Sequence, residues 1–269
     1  MSGAGVVSRL DRLWRLIATG LAFLAMFGGG ALIATTVIPL ATLLTRDPAC
    51  RRRRAQAIVR RTFRAYLAAL RGLGVIRLDV VGATRLAGGG RLVIANHPTL
   101  LDVVILMALV PDARCVVKHQ LWHRSLLRPI VRVAGYIPND LPSEELMARC
   151  AESLAAGDNL IFFPEGTRSP PGGLLPFQRG FAHVATLARA DVLPVRIDCS
   201  PPTLLRGEAW YRIPERAPSF RVDVGEPVPI APFLNGAPRS LAARRVKSHL
   251  ERWYAERSSW MTSNATSSG

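Results

Sequence analysis

Two apolar runs in this sequence end in residues that could do chemistry. The first, VIANHPTLLD, places Asn96 and His97 directly after the run and Asp102 five residues beyond His97. A histidine beside a carboxylate is typical of a general base and its orienter, because the carboxylate fixes the imidazole tautomer and stabilises the imidazolium. The nucleophile of a catalytic triad is missing here, so the substrate itself would have to supply it.

A structural interpretation explains the same residues. Asn96 would cap a helix, Pro98 would occupy its first turn, and Asp102 would favour the positive N-terminal end. Residues five apart on a helix point roughly 140° away from each other, so His97 can meet Asp102 only from the turn before the helix. Pro98 disfavours helical geometry at the residue before it and so favours that turn. The spacing alone leaves both interpretations open.

The second run, LIFFPEGTRSPPGG, ends in Glu165, Gly166, Thr167 and Arg168. A Gly-Thr-Arg turn supplies backbone N–H groups, a hydroxyl and a guanidinium, and arginine binds phosphate oxygens with a bidentate fork. The turn therefore suits a phosphate, although as a lone turn it is explained equally well by a structural role.

Between residues 76 and 257 short apolar runs alternate with amphipathic segments. This alternation predicts an α/β fold, with a mixed sheet flanked by helices and a site in the loops at the strand ends. The predicted strands are 76–81, 91–95, 113–117, 159–163, 192–197 and 220–224. The predicted helices are 101–109, 125–134, 143–156, 179–190 and 239–257.

The N-terminal region is apolar and carries no charge from Leu16 to Leu44, a length that exceeds the roughly 20 residues of a spanning helix. We expect a retained membrane element, either a single tilted span or a hairpin bent at the three glycines 28–30, with a kink at Pro39. A buried core helix is the alternative. No small-residue cleavage site of the A-x-A kind is followed by a polar mature start, which disfavours a signal peptide.

Arginines flank this segment on both sides, with the larger group at residues 46–64. The positive-inside rule predicts that the rest of the chain lies on the cytoplasmic side of the membrane. Residues 51–73 have helical periodicity, which predicts a basic amphipathic helix that lies on anionic lipid, or packs on the domain, or does both. The expected organisation is membrane-anchoring helices at 1–74, an α/β domain at 75–257 and a disordered polar tail at 258–269.

The net charge is +16, and only Lys118 and Lys247 are lysines. Such a charge attracts an anionic partner: a lipid headgroup, an acidic carrier protein or a nucleic acid. Nucleic-acid binding is disfavoured because no aromatic residues interleave the arginines. His119 and His123 are four apart in HQLWH, but Gln120 stands where a zinc protease has glutamate, so no metal is expected. The four cysteines form no CxxC pair and favour a reducing cytoplasm.

Together, HPTLLD and FPEGTR resemble the glycerolipid acyltransferase superfamily, which includes 1-acylglycerol-3-phosphate O-acyltransferases. Asn96, His97 and Asp102 match its NHxxxxD block, Phe163–Ser169 match its FPEGTRS block, and Leu193–Val195 resemble its fourth block. The resemblance covers about Leu78 to Val228.

The resemblance implies direct acyl transfer without a cofactor. His97 would deprotonate a hydroxyl of a lysophosphatidate-like or related lipid, which then attacks a fatty or polyene acyl thioester of an acyl carrier protein or CoA. Asp102 would hold His97, and the substrate-binding residues would be Asn96, Lys118, Glu165, Gly166, Thr167 and Arg168. The alternative is a catalytically inactive, membrane-attached lipid-binding or scaffold protein of the same fold.

One departure from the family pattern concerns the acceptor. Asn139, in GYIPND, stands where the family's second block usually has an arginine that helps to bind the acceptor phosphate. GYIPND and PPTLLRGEAWYRIP are similar to the acyltransferases that accompany aryl polyene pigment biosynthesis in bacteria. This departure predicts an acceptor that differs from ordinary lysophosphatidate, and the resemblance implies a bacterial cytoplasmic (inner) membrane location.

Overall fold

A mixed seven-stranded sheet forms the centre of the protein in the computed structural model, which describes residues 3–117, 119, 128–170 and 173–266. The strand order is β1-β7-β6-β2-β5-β3-β4, and every neighbouring pair is parallel except β6 with β7. The strands are β1 (Arg77–Val81), β2 (Leu92–Ala95), β3 (Ala113–Val117), β4 (Ile137–Pro138), β5 (Asn159–Phe162), β6 (Val192–Ser200) and β7 (Ser219–Val224).

The six strands and five helices predicted for residues 76–257 are all present among the described residues, with ends shifted by a few residues; residues 125–127 of the predicted helix 125–134 lie outside the described residues. The short strand β4 and the short helix Ala231–Leu234 are additions. The helices of this part are α5 (Asp102–Leu109), α6 (Arg128–Val133), α7 (Ser143–Ala155), α8 (Gly180–Ala188), α9 (Ala231–Leu234) and α10 (Arg239–Thr266), preceded by α1 (Gly3–Leu24), α2 (Gly30–Leu32), α3 (Ile38–Thr42) and α4 (Pro48–Gly72). Helix α10 continues to Thr266 instead of ending before a disordered tail, since no glycine or proline interrupts residues 258–266.

Helices cover both faces of the sheet. Helices α4 and α5 and the buried side of the N-terminal segment share one apolar core with the sheet. Helices α7, α8 and α10 share the other core. All four residues of the central strand β2 are buried, as expected for a strand with parallel neighbours on both sides.

The N-terminal segment is one continuous helical path from Gly3 to Thr42, in which two π-helical turns, Ala25–Gly29 and Ile33–Val37, join α1, α2 and α3. The chain stays helical through the glycines 28–30, so the hairpin is wrong. From Arg9 to Thr42 this is the one helix, among the described residues, long and apolar enough to cross a bilayer. Only 17% of its most apolar stretch of 18 residues is buried, which disagrees with the interpretation as a buried core helix.

This N-terminal helix packs along the α/β domain on one side. Ala18, Ala34 and Ile38 are buried in that contact. The opposite side exposes a row of large apolar residues that includes Leu10, Leu13, Trp14, Ile17, Leu21, Leu24, Phe27, Leu32 and Leu40. The helix therefore joins the domain to an apolar surface that has no cover among the described residues.

Helix α4 begins where its sequence provides a cap. The Asp47 carboxylate accepts hydrogen bonds from the backbone N–H groups of Ala49 and Cys50, and Pro48 occupies the first turn. Its apolar side packs against the domain, so the packing interpretation of this basic helix is confirmed. Two of its arginines face inward: Arg60 donates to the carbonyls that end α5, and Arg52 pairs with Asp158. Arg51, Arg53, Arg54, Arg61 and Arg64 stay exposed.

Candidate active site

The carboxyl ends of the neighbouring parallel strands β2 and β5 bring the two unusual sequence runs together. His97 lies in the turn after β2, and Phe163 to Ser169 follow β5. The backbone N–H of Ser169 donates to the carbonyl of His97 at 2.7 Å, which ties the two turns to each other. This is the edge at which open α/β sheets hold ligands.

His97 and Asp102 are in direct contact: Nδ1 of His97 lies 2.9 Å from Oδ2 of Asp102. His97 precedes the helix and Asp102 is the first residue of α5, which is the arrangement that the five-residue spacing requires. The imidazole retains 16% exposure, whereas the Asp102 carboxylate is completely buried. The carboxylate of Asp102 accepts a hydrogen bond from the Nδ1–H group of His97. Nε2 is therefore the nitrogen left for a ligand, and it has no hydrogen-bond partner among the described residues.

Thr99 holds the carboxylate in place. Its backbone N–H donates to Oδ2 of Asp102 at 2.6 Å and its hydroxyl donates to Oδ1 at 2.7 Å. Burial raises the pKa of Asp102 above its ordinary value, against the opposing effects of His97 and Thr99, which favour the carboxylate. His97 and Thr99 thus hold the carboxyl group of Asp102 at a position from which water is excluded.

Phe163 forms one wall of the His97 site. The two rings stack with centroids 4.4 Å apart and planes inclined by 29°. This contact restricts rotation of the imidazole out of the Asp102 hydrogen bond. We predicted no role for Phe163 or Thr99, and the only signal for either was its position inside a motif.

The side chain of Asn96 is bound within the protein, and its assignment as a substrate-binding residue stays a prediction. Its side-chain amide donates to the carbonyl of Ile197 at 2.8 Å and accepts from the N–H of the same residue at 2.7 Å. The residue is only 4% exposed and continues the β2–β6 pairing by one step beyond the strand. The structural interpretation in which Asn96 caps a helix is wrong, because α5 begins at Asp102 with Leu101 at its N-cap position.

Glu165 is likewise turned inward and not toward solvent. Its Oε1 accepts from the Ser169 hydroxyl at 2.6 Å and from the backbone N–H of His97 at 3.1 Å, and its Oε2 accepts from the N–H of Leu175 at 2.8 Å. With 4% exposure, this carboxylate holds the two turns together. Its assignment to headgroup binding stays a prediction.

Gly166, Thr167 and Arg168 form the exposed part of the second turn. Gly166 has φ of +68°, a left-handed backbone conformation that favours glycine. Arg168 donates through Nη1 to the carbonyls of Leu204 and Leu205, both at 2.8 Å. No carboxylate pairs with Arg168 among the described residues, and its Nε and Nη2 groups remain available to an anion.

The predicted second block is only partly described. Lys118 and His123 lie outside the described residues. The side-chain oxygen of Asn139 accepts a hydrogen bond from the backbone N–H of His119 at 3.0 Å. The backbone N–H of Asn139 donates to the carbonyl of Val117 at 2.9 Å. Asn139 thus links the ends of β3 and β4, which is a structural use that the expected arginine could not serve in the same way, because arginine carries no acceptor.

A narrow apolar cleft lies beside the His97 turn. Leu100 and Leu101 of that turn line it on one side, and Ala22, Phe23 and Met26 of the N-terminal helix line it on the other. The cleft continues between Tyr66, Leu70, Val75, Ile76, Val104 and Leu204. Its walls suit a hydrocarbon chain and offer almost no polar contact.

Comparison with known proteins agrees with this geometry. Residues 77–198 match the family model described as acyltransferase. The chain is 34% identical over 109 residues to the 1-acyl-sn-glycerol-3-phosphate acyltransferase of Cocos nucifera, a match that covers 38% of this chain and 35% of the relative. It is 34% identical over 112 residues to the 1-acyl-sn-glycerol-3-phosphate acyltransferase alpha of Mus musculus, covering 38% of each. These matches thus span little more than a third of either relative.

Among solved structures, the fold is similar to the crystal structure of the 1-acyl-sn-glycerophosphate (LPA) acyltransferase PlsC from Thermotoga maritima. The TM-score is 0.66 at 20% sequence identity, and the superposition covers 92% of this chain and 98% of that one. The similarity extends beyond residues 77–198 and includes the N-terminal helical region.

Proposed function

We propose that this chain, whose residues 77–198 match the acyltransferase family model, is a membrane-associated O-acyltransferase of the glycerolipid acyltransferase superfamily. It would transfer a fatty or polyene acyl group from a thioester of an acyl carrier protein or CoA to a hydroxyl of a lysophosphatidate-like or related lipid. The observation that carries this proposal is the 2.9 Å contact between Nδ1 of His97 and the buried carboxylate of Asp102, with Nε2 left for a hydroxyl.

The chemistry follows from that contact. Nε2 of His97 takes the proton of the acceptor hydroxyl while the oxygen attacks the thioester carbonyl. Asp102 stabilises the imidazolium that forms, and collapse of the tetrahedral intermediate releases the thiolate, which takes the proton back from His97. The histidine is thereby returned to its starting form, the acyl group resides on the acceptor oxygen, and the thiol leaves.

The acceptor phosphate would lie at the Gly166–Arg168 turn. Arg168 keeps Nε and Nη2 available, and the Thr167 hydroxyl has no hydrogen bond among the described residues. Because Glu165 and Asn96 are used internally, the anion would be held by fewer groups than the motif suggested, with Lys118 as a further candidate. Asn139 in place of an arginine leaves the second phosphate contact open and favours an acceptor other than ordinary lysophosphatidate.

The apolar cleft between the His97 turn and the N-terminal helix has a volume of about 40 Å³, so it would have to widen to admit the acyl chain. Membrane association is supported by the exposed apolar side of that helix and by the exposed arginines of α4. The arginines after the helix favour the cytoplasmic side for the domain, and the location in a bacterial inner membrane rests on the resemblance of GYIPND and PPTLLRGEAWYRIP to bacterial acyltransferases. An acidic carrier protein would suit the net charge of +16 as a donor.

A reconstitution experiment tests this function. Purified protein in vesicles is incubated with acyl carrier protein and CoA thioesters and with a panel of hydroxyl acceptors, including lysophosphatidate, and the products are identified by mass spectrometry. We expect acyl esters that form with a preference for one donor class. If no acceptor is acylated by a folded, membrane-bound protein, the scaffold alternative replaces the proposal.

A further inference from the structure

The loop from Leu205 to Arg216, here called the Trp210 loop, is not part of the catalytic turns, yet it lies against the N-terminal helix. The ring of Trp210 lies 3.4 Å from the position of a Cβ atom at Gly20, and its centroid is 5.8 Å from that of Phe23. Tyr211 packs edge-on against Trp210 at 5.8 Å. An aromatic pair thus stands beside the apolar helix at a position where the absence of a side chain on Gly20 makes room.

Arg15 fixes this loop to the helix. It is only 1% exposed, and its guanidinium donates to the carbonyl of Pro214 at 2.9 Å and to that of Glu215 at 2.6 Å, while Nε binds Asp11. A buried arginine without these partners would be very costly. The loop and the first half of the N-terminal helix therefore present a single surface.

That surface is apolar and aromatic. Trp210 is 43% exposed and Tyr211 is 62% exposed. The neighbouring helix exposes a row of large apolar side chains, Leu13, Trp14, Ile17, Leu21, Leu24 and Phe27, each about half exposed or more. Tryptophan and tyrosine are enriched at the level of lipid headgroups, since one end of each side chain is apolar and the other is polar.

Charged residues of the loop favour an anionic surface. Arg206, Arg212 and Arg216 are exposed, and none pairs with a carboxylate among the described residues. Of the two acidic residues, Glu208 is used within the loop, where its carboxylate accepts from the N–H of Leu205 at 3.0 Å, and Glu215 is exposed. The loop therefore has a net positive charge of one, and the N-terminal helix carries the exposed Arg9, Asp11 and Arg12.

The root of the loop is bonded to both catalytic turns. The carbonyl of Leu204 accepts from the N–H of Leu100, in the His97 turn, at 3.2 Å and from Arg168 at 2.8 Å. Arg168 also donates to the carbonyl of Leu205. The position of the loop is thus set relative to the residues that would bind the acceptor headgroup.

We propose that the Trp210 loop is a second membrane-contacting element, which inserts Trp210 and Tyr211 at the headgroup level of an anionic lipid surface and thereby places the mouth of the site against that surface. The loop would work together with the N-terminal helix, which anchors the chain. The proposal rests on the membrane association in the proposed function, and its test does not require acyl transfer.

The test is depth-dependent quenching of tryptophan fluorescence in the full-length protein. The protein is reconstituted in vesicles of phosphatidylcholine and phosphatidylglycerol whose acyl chains carry bromine either near the ester end or near the methyl end. The contribution of Trp210 is the difference between the wild type and Trp210→Phe, which keeps an aromatic ring against Gly20. Trp253→Phe is the matched control, because Trp253 lies on α10 at the opposite face of the sheet.

We expect the Trp210 contribution to be quenched by bromine near the ester end and less by bromine near the methyl end, with no quenching of the Trp253 contribution. The proposal is overturned if bromine does not quench the fluorescence of Trp210. If an aqueous quencher also fails to quench it, a protein partner covers Trp210. Because neither result depends on catalysis, failure of this proposal is distinct from failure of acyl transfer.

A second arm tests the charge of the surface. Arg212→Gln should weaken binding to vesicles that contain phosphatidylglycerol about fivefold, and should not change binding to neutral vesicles. Arg245→Gln removes the same charge from α10, on the far side of the sheet, and should leave binding unchanged. Equal effects of the two variants would show that only the net charge of the chain matters, which contradicts a specific role for the loop.

Discussion

Replacing Asp102 with asparagine removes the charge of the carboxylate while retaining its shape. The remaining amide oxygen can still accept from Nδ1 of His97 and the N–H of Thr99, which both bind Oδ2. The amide NH2 group would then face the Thr99 hydroxyl, which can turn to accept. The variant should fold with His97 in place but without the negative charge that stabilises its imidazolium.

The size of the effect follows from the geometry. The 2.9 Å contact between Nδ1 and Oδ2 places the two charge centres about 4 Å apart, where a pair of unit charges interacts by about 4 kcal/mol at an effective dielectric constant of about 20. Each ~1.36 kcal/mol changes a rate tenfold, so kcat should fall on the order of 10³-fold. KM for the acceptor should change little, since the headgroup contacts are elsewhere.

The assay is steady-state acyl transfer in vesicles, with kcat and KM measured separately for wild type and Asp102→Asn. Thr99→Val serves as the control, because it removes the hydroxyl bond to Oδ1 but leaves the carboxylate charge. We expect a much smaller loss of kcat for Thr99→Val. A kcat of Asp102→Asn within tenfold of the wild type would refute the assignment of the Asp102 charge to catalysis.

The same variant gives a stability test. Burial raises the pKa of Asp102 in the folded chain above that in the unfolded chain. Between these two pKa values the folded protein binds more protons than the unfolded chain, so its stability falls as pH rises. The free energy of unfolding of the wild type relative to Asp102→Asn should therefore be highest at acidic pH, below the unfolded pKa of about 3.9, and should decrease as pH rises through the folded pKa. Chemical denaturation across this range measures it, and the opposite slope would contradict the role of burial.

Two further substitutions test the residues that position the site. Asn96→Ala leaves the backbone N–H and carbonyl of Ile197 without their Asn96 partners. It should lower the free energy of unfolding by about 2–4 kcal/mol and also lower kcat. An unchanged denaturation midpoint would argue against this positioning contact. Gly166→Ala places a side chain at a φ of +68° and should cost about 1–2 kcal/mol, whereas Gly173→Ala, which has open space and no positive φ, should be neutral. Equal thermal shifts for the two variants would contradict the backbone explanation.

The sequence supports the elements of the fold because their signals are local. The apolar run of β2 and the turn residues after it predict a buried strand that ends in a site, and the Pro98 constraint predicts that His97 stays outside the helix. The partners of Asn96 and Glu165 could not be predicted in this way. Ile197 lies 101 residues after Asn96, and the N–H of His97 lies 68 residues before Glu165, so both bonds exist only in the assembled sheet.

In the N-terminal region, too, local signals were predictable from the sequence and long-range contacts were not. Its length and lack of charge predict a membrane helix, but three glycines made a hairpin equally reasonable. The continuous helix is stabilised by packing against the domain and by Arg15, whose partners Pro214 and Glu215 lie about 200 residues away. A residue that the sequence assigned to the flank of a membrane segment is thus a buried tertiary contact.

The most direct test of the account is acyl transfer by His97→Ala, compared with the wild type in the same vesicles with the donor and acceptor found by mass spectrometry. The account predicts that ester formation falls to background while the thermal unfolding temperature and vesicle binding stay close to those of the wild type, because His97 is partly exposed and its removal leaves the Thr99 bonds to Asp102 intact. Undiminished ester formation by a folded His97→Ala protein would contradict the account.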